Sequence, residues 1–117
     1  MELLKMTETE ILQIAEPIMS DMVQGSNEKN WALFSKHQTE EEAASPENRA
    51  NVERQWEESE LLTSLSEKRN FLGVLRRKDH VVVLWKQFST KLPSDFIAML
   101  CLQDIEGEVK EVGLWIQ

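Results

Sequence analysis

The spacing of apolar residues changes about midway along the chain from a helical period to a strand period. In the first half, apolar side chains recur every three or four residues, as at Ile11, Ile14, Ile18 and Met22. From Phe71 onward they form runs rich in valine, isoleucine and aromatic residues, and short turn-like segments separate these runs. This order predicts an α+β domain in which three N-terminal helices pack on a curved four-stranded antiparallel sheet.

Capping and stop signals set the predicted bounds of the first two helices. Thr7 and Glu10 have the separation of a capping box, which predicts a helix that begins here and ends at Gly25. Asn27 can cap a second helix that carries an aromatic face. The polar, acidic run 38–45 then predicts a loop.

The third helix and the strands follow from equally local signals. Ser45 suits a cap and Pro46 the first helical position, while Val52 and Trp56 are four residues apart and share a helix face. Trp56 is therefore predicted to pack against the sheet. Four strands are predicted, over 71–76, 80–89, 95–105 and 108–116. Their short connections indicate an antiparallel meander.

Two predicted strands are apolar in the stretches 81–85 and 96–102, without the alternation expected when one face of a sheet is wet. The set that faces away from the helices is either Phe96, Ala98, Leu100 and Leu102 or Ile97, Met99 and Cys101. We expect a second subunit to cover this face, because a large exposed apolar patch is unusual on a monomer. The candidate homodimer interface is Ile97, Met99 and Cys101. The alternative cover is the acidic run 38–45 or the N-terminal segment of the first helix.

Size and charge narrow the choice of partners. A chain of 117 residues has the size of one domain, which we take to span 1–117. Its net charge is −8, and its one dense basic run, 76–78, falls in a predicted turn. The phosphate groups of nucleic acid and the headgroups of an anionic membrane would repel this chain. The sequence therefore predicts neither nucleic-acid nor membrane binding.

The cysteine content limits metal and redox chemistry. Cys101 is the sole cysteine, so no intrachain disulfide can form, and no Cys/His spacing resembles a zinc site. The segment before Thr7 lacks the basic start and apolar stretch of a signal peptide. We therefore expect a cytoplasmic protein with no metal and no other cofactor.

Tryptophan and histidine side chains supply the candidate pocket. A tryptophan can line a cavity and bind a ligand through its indole N–H, although such rings also pack in cores. His37 can act as a base, or can be a half-exposed helix residue. The candidate ligand-binding residues are Trp31, His37, Trp56, Trp85 and Trp115. No catalytic residue is assigned, because Asp95 and Asp104 flank turns in which water would solvate them.

Four segments of the second half share a pattern with a known family. They are Asn-Phe-Leu-Gly at 70–73, the strand 81–88, the acidic-glycine turn at 104–109 and the terminal strand 112–116. Placed after helices, they resemble the nuclear-transport-factor-two-like superfamily, whose fold is a cystatin-like cone. Larger members usually carry a short strand pair between the second and third helices, and here the segment between those helices is too short and too polar. The chain is thus similar to a reduced, bacterial-type member.

This resemblance implies a conical sheet around a long helix, a pocket between them and dimerisation through the sheet. The superfamily includes SnoaL-like cyclases and ketosteroid-isomerase-like enzymes beside many non-catalytic binding domains, so the fold does not fix the function. Its isomerase-type sites use a tyrosine donor, and this chain has no tyrosine. We therefore expect a non-catalytic domain that binds a small apolar molecule or a protein. The alternative is a lyase or isomerase with an acid–base residue in the pocket, which a buried titratable side chain within reach of a partner would favour.

Overall fold

A computed structural model describes residues 2–117 and confirms the predicted α+β fold, in which helices precede a four-stranded antiparallel sheet. The helices are α1 (Glu8–Glu28), α2 (Trp31–Phe34), α3 (Glu40–Ala44) and α4 (Pro46–Glu58), with single 3-10 turns at Leu3–Lys5 and Leu61–Thr63. The strands are β1 (Leu65–Arg76), β2 (Val81–Ser89), β3 (Asp95–Ile105) and β4 (Glu108–Ile116). Within residues 2–117, no helix combines the length and apolarity needed to cross a membrane.

Helix α1 begins at the predicted capping box, in which Thr7 and Glu10 bind each other's backbone amides. The predicted stop at Gly25 is wrong, because the helix continues to Glu28. Gly25 instead allows close approach of the next segment: a Cβ at this position would lie 2.6 Å from the backbone nitrogen of Phe34. The helix ends at Lys29, which adopts a left-handed conformation with φ 54°.

The second and third helical segments also differ from their predicted bounds. Asn30, rather than Asn27, caps the short helix α2. The side chain of Asn27 instead pairs with the backbone of Leu65, both accepting from its N–H and donating to its C=O at 2.8 Å. The predicted loop 38–45 contains the short helix α3, because Thr39 supplies a cap.

The strand order is β1-β2-β3-β4, with antiparallel pairing throughout, as the short connections predict. Strands β3 and β4 have the predicted bounds, whereas β1 begins at Leu65 rather than Phe71. Its polar first half belongs to the sheet because Leu65 is buried in the core and Arg69 points inward. The pairing of β1 with β2 is irregular between these two residues, so the exposed residues between them lie outside the regular hydrogen-bond ladder.

The two faces of the sheet are now distinguishable. On β3, Ala98, Leu100 and Leu102 are fully buried against the helices together with Val81, Val83 and Trp85 of β2. Alternation therefore directs Ile97, Met99 and Cys101 to the opposite, outer face. Of the two sets that the sequence left open, it is the second that faces away from the helices.

A β-bulge at Val112 changes the alternation of β4. Cys101 pairs with Gly113, whereas the next β3 residue, Leu102, pairs with Glu111, so Val112 has no partner. Because Leu102 faces the helices, Glu111 faces them too. The bulge thus places an acidic side chain on the same inner face as the apolar end of the strand.

Candidate functional site

A cavity of about 650 Å³, partly open to solvent, lies between α4 and the C-terminal half of β4. We call it the α4–β4 cavity. Its wall combines apolar side chains of α1, α2 and α4 with polar side chains of the segment 38–55 and with the β4 residues 111–116. Small-molecule sites typically have volumes of about 300–1,000 Å³ and a similar mixture of apolar walls and a few polar groups.

Trp56 forms the fixed part of the apolar wall. It is only 4% exposed, and its ring meets that of Phe34 edge-on, with the ring centroids 5.4 Å apart. Its indole N–H donates to the hydroxyl of Ser26 at 3.1 Å, and this hydroxyl in turn donates to the carbonyl of Leu62. The buried polar atom of the indole is therefore satisfied, and the ring offers its carbon surface to the cavity.

Carboxamide groups supply the polar wall. The Nδ2 of Asn48 donates to the Oε1 of Gln38 at 3.1 Å and to the backbone carbonyl of Glu42 at 2.9 Å. These contacts tie the first turn of α4 to α3 and to the segment that precedes it. Asn51 and Gln55 add two further amides to the wall on the same helix.

Glu111 is the unusual group of the cavity wall. The residue is only 6% exposed, and its buried Oε1 has no hydrogen-bond partner in the described chain. Burial raises the pKa of its carboxyl to about 7, and the negative charge of Glu42 adds to this effect. The Gln38 side chain and the Gly113 backbone lower the pKa but do not offset the burial.

The backbone holds Glu111 in place. Its N–H donates to the carbonyl of His37 at 2.8 Å, which joins β4 to the segment that follows α2. Its inward direction follows from the pairing with Leu102 on one side of the bulge. A buried carboxyl that has a pKa near neutral pH and an oxygen without a partner can bind a cation when it is ionised, or donate a proton when it is protonated.

Two of the predicted pocket residues, Trp56 and Trp115, line this cavity. Trp115 is 56% exposed at the cavity margin. Trp31 is buried elsewhere, where it stacks obliquely on Phe34 and donates to the carbonyl of Ala43. Trp85 is fully buried beneath α1, and its indole N–H donates to Glu16 at 2.7 Å.

His37 does not line the cavity either, because its ring faces α1. Its Nε2 lies 2.7 Å from a carboxylate oxygen of Asp21, and Lys36 lies 3.4 Å from the same oxygen. The hydrogen bond from His37 lowers the pKa of Asp21. This half-exposed pair is a surface contact between α1 and the segment after α2.

Sequence reasoning missed Glu111 because the pattern at the end of β4 points the other way. Leu114 and Ile116 pack inward, and regular alternation from them would turn Glu111 outward. The bulge turns Glu111 inward instead, and no residue type in the sequence predicts the position of a bulge. The remaining signal was a single acidic residue among Val109, Val112 and Leu114, which is weak by itself.

A metal site or a similar known protein would each indicate a function independently of the cavity. Within residues 2–117, no group of three or more His, Cys, Asp and Glu side chains is placed to hold a metal ion. No protein-family model matches the chain, and neither does any curated protein sequence.

Proposed function

We propose that this domain binds a small, largely apolar molecule in the α4–β4 cavity, as do non-catalytic members of the nuclear-transport-factor-two-like superfamily that it resembles. The observation that carries the proposal is the unpartnered Oε1 of Glu111 in the wall of a cavity of about 650 Å³. Buried polar atoms are normally hydrogen-bonded, so the missing partner on this residue of the wall favours a ligand that supplies one. The apolar wall around Trp56 would hold the rest of the molecule.

Filling the cavity tests this function. Val52 lies in the wall on α4, so Val52→Trp would occupy part of the space. The matched control is Ala50→Trp on the exposed part of the same helix, outside the cavity. A neutral solvatochromic dye such as Nile red should bind the natural chain and the control, and should bind Val52→Trp at least about tenfold more weakly. Equal binding by the two folded variants would contradict the proposal.

Acid–base catalysis is the second candidate, and Glu111 is the observation that favours it. Burial raises the pKa of its carboxyl to about 7, where a general acid or base works best near neutral pH. The side chain of Gln38 lowers this pKa and is the neighbouring polar group that the catalytic alternative requires. Binding ranks first because Glu42, the other ionisable residue among the described wall residues, is exposed to solvent rather than buried beside Glu111.

The catalytic alternative has its own test. A lyase or isomerase of this kind would turn over steroid-like or polyketide-like ketones, and Glu111→Gln would abolish turnover while dye binding persists. Under the binding function, neither the natural chain nor the variant turns over these substrates. His37→Ala serves as the control, because His37 lies outside the cavity and its loss should leave any turnover unchanged.

We also propose that the domain forms a homodimer through the outer face of the sheet. Met99 and Trp115 are paired across β3 and β4 on this face, and Leu75 and Trp115 are exposed. A second copy related by a two-fold axis would cover the same apolar side chains on both subunits. Light scattering at micromolar concentration should give about twice the chain mass of 13.6 kDa, and a mass equal to that of one chain would contradict the dimer.

A further inference from the structure

We propose that the ligand of the α4–β4 cavity is an organic cation, with an ammonium or amidinium group on a compact apolar skeleton. This inference rests on the proposed binding function and specifies its ligand class. Three properties of the wall support it: the sign of its charges, the unpartnered oxygen of Glu111 and the aromatic rings that line the space.

The charges of the wall have one sign. Glu42 and Glu111 are the ionisable residues that line the cavity, and none of the described lining residues is basic. The two carboxylates repel each other, since the charge of Glu42 disfavours the ionised form of Glu111. A bound cation would remove this repulsion, whereas a bound anion would add to it.

Glu111 supplies the acceptor. Only 6% of the residue is exposed, and its Oε1 has no hydrogen-bond partner within the described chain. An ionised carboxylate only accepts hydrogen bonds, so the partner that this carboxyl lacks is a donor such as the N–H of a ligand. A hydrogen bond between two charged groups in a buried site is among the strongest that proteins form. The carboxamide oxygens of Gln38 and Asn48 stand nearby as neutral acceptors.

Aromatic rings complete the site. Phe34, Trp56 and Trp115 all line the cavity. The faces of such rings attract cations, and tryptophan does so most strongly. Because Ser26 already accepts the indole N–H of Trp56, this ring has no donor left for an anionic ligand. Aromatic rings around a partly closed space are typical of ammonium recognition.

The competing candidate is a neutral ligand that accepts a hydrogen bond from the protonated carboxyl of Glu111. The direction of the pH dependence separates the two. A cation needs ionised Glu111 and binds more tightly as the pH rises through about 7, whereas a neutral acceptor needs the protonated form and binds more weakly. Besides Glu42, the titratable neighbours are Cys101 on β3 and His37, whose ring is turned towards Asp21.

Three probes of nearly equal size test the inference on the full chain: 2-phenylethylamine, 2-phenylethanol and phenylacetate. Isothermal titration calorimetry at about pH 8 should show the amine binding at least about tenfold more tightly than the alcohol, and no binding of the acid. The affinity for the amine should fall by about tenfold or more between about pH 8 and pH 5, as Glu111 takes up a proton. The affinity for the alcohol should not fall.

Variants assign the effect to the proposed group. Glu111→Gln should abolish the preference for the amine while the alcohol still binds, which also shows that the variant is folded. The matched control, Glu47→Gln, removes an exposed carboxylate on α4 that does not line the cavity, and it should change neither affinity. If the alcohol binds as tightly as the amine, the cation inference is overturned and the binding function stands. If none of the probes and no dye binds, both are overturned.

Discussion

The guanidinium group of Arg69 lies 5.6 Å from the centroid of the Trp85 ring, and both side chains donate to the carboxylate of Glu16. The Arg69 side chain is only 5% exposed, so the carboxylate of Glu16 is needed to stabilise its buried positive charge. The cluster joins the middle of α1 to β1 and β2, on a part of the sheet that the cavity does not reach.

Removing the acidic partner of this cluster should destabilise the domain. Glu16→Ala leaves the buried guanidinium without its counter-charge and leaves the indole N–H of Trp85 without an acceptor. Because Glu16 is 42% exposed, we expect a loss of about 2–3 kcal/mol, below the 3–5 kcal/mol typical of a fully buried pair. Urea denaturation measures it. Arg69→Met in the Glu16→Ala background should recover part of the loss, and a double variant that is less stable still would contradict the role of the charge.

Trp56 should be the most costly aromatic residue to remove from the helical layer. Trp56→Ala would leave a void in the wall and the hydroxyl of Ser26 without its donor, and it should cost about 3–5 kcal/mol. Trp56→Phe keeps most of the volume and loses only the hydrogen bond, at about 1 kcal/mol. Thermal denaturation followed by circular dichroism compares the two. An unchanged melting temperature in the alanine variant would contradict the packing of Trp56 in the core.

The stability of the domain should fall between about pH 4.5 and pH 7 through Glu111. In the folded state the carboxyl has a pKa of about 7, against an ordinary value of 4.5, so the folded state holds the proton over a range in which the unfolded state loses it. The cost is complete above about pH 7 and amounts to about 3 kcal/mol, at 1.36 kcal/mol for each pKa unit.

Urea denaturation at several pH values compares Glu111→Gln with the natural chain. The variant should gain stability relative to the natural chain as the pH rises across this window. Glu108→Gln, an exposed acidic residue of the same strand, is the control and should show no such gain. A Glu111→Gln curve parallel to that of the natural chain would show that the carboxyl ionises as freely in the folded state as in the unfolded one.

The position of the Trp115 ring should depend on the absence of a side chain at Gly113. A Cβ at this position would lie 2.6 Å from Cη2 of the ring. Gly113→Ala should therefore displace the ring and cost about 1–3 kcal/mol, with the low end favoured because the ring is half exposed. The same substitution in a Trp115→Ala background should cost less, as a double-mutant cycle measures. Equal costs in both backgrounds would exclude the contact.

The proposed dimer should dissociate when a charge enters the centre of the outer face. Met99→Glu places a carboxylate beside Leu84 and Trp115, its partners on β2 and β4. Light scattering should then give the mass of a single chain, while circular dichroism retains the helical signal. Ser94→Glu, in the exposed turn before β3, is the control and should leave the mass unchanged. A Met99→Glu variant with the dimer mass would place any interface elsewhere.

The sequence predicts the local structure well wherever a single residue or turn determines it. The Thr7–Glu10 capping box, the start of α4 at Pro46 and the bounds of β3 and β4 all depend on contacts within a few residues. Gly25 and β1 were mispredicted because their structure depends on distant partners. Gly25 allows the close approach of Phe34 instead of ending α1, and Glu16 stabilises the polar start of β1 through Arg69.

The site was harder to predict than the fold for the same reason. Tryptophan content predicts large rings that pack in a core or line a cavity, but only the tertiary structure decides which rings share a cavity. Trp85 and Trp56 lie against different parts of α1, where Glu16 and Ser26 accept hydrogen bonds from their indole N–H groups. Glu111 became part of the wall through a bulge whose position depends on the pairing with β3.

Trp115 belongs to two surfaces at once, since it lines the α4–β4 cavity and pairs with Met99 on the outer face of the sheet. A partner that fixes this ring from outside therefore alters the space available to a molecule inside. Thermodynamic linkage makes the effect reciprocal: if self-association raises the affinity for a ligand by some factor, that ligand strengthens self-association by the same factor. In the proposed dimer, one half-exposed indole would thus make the affinity for the proposed ligand depend on protein concentration, without any movement of the helices or the sheet.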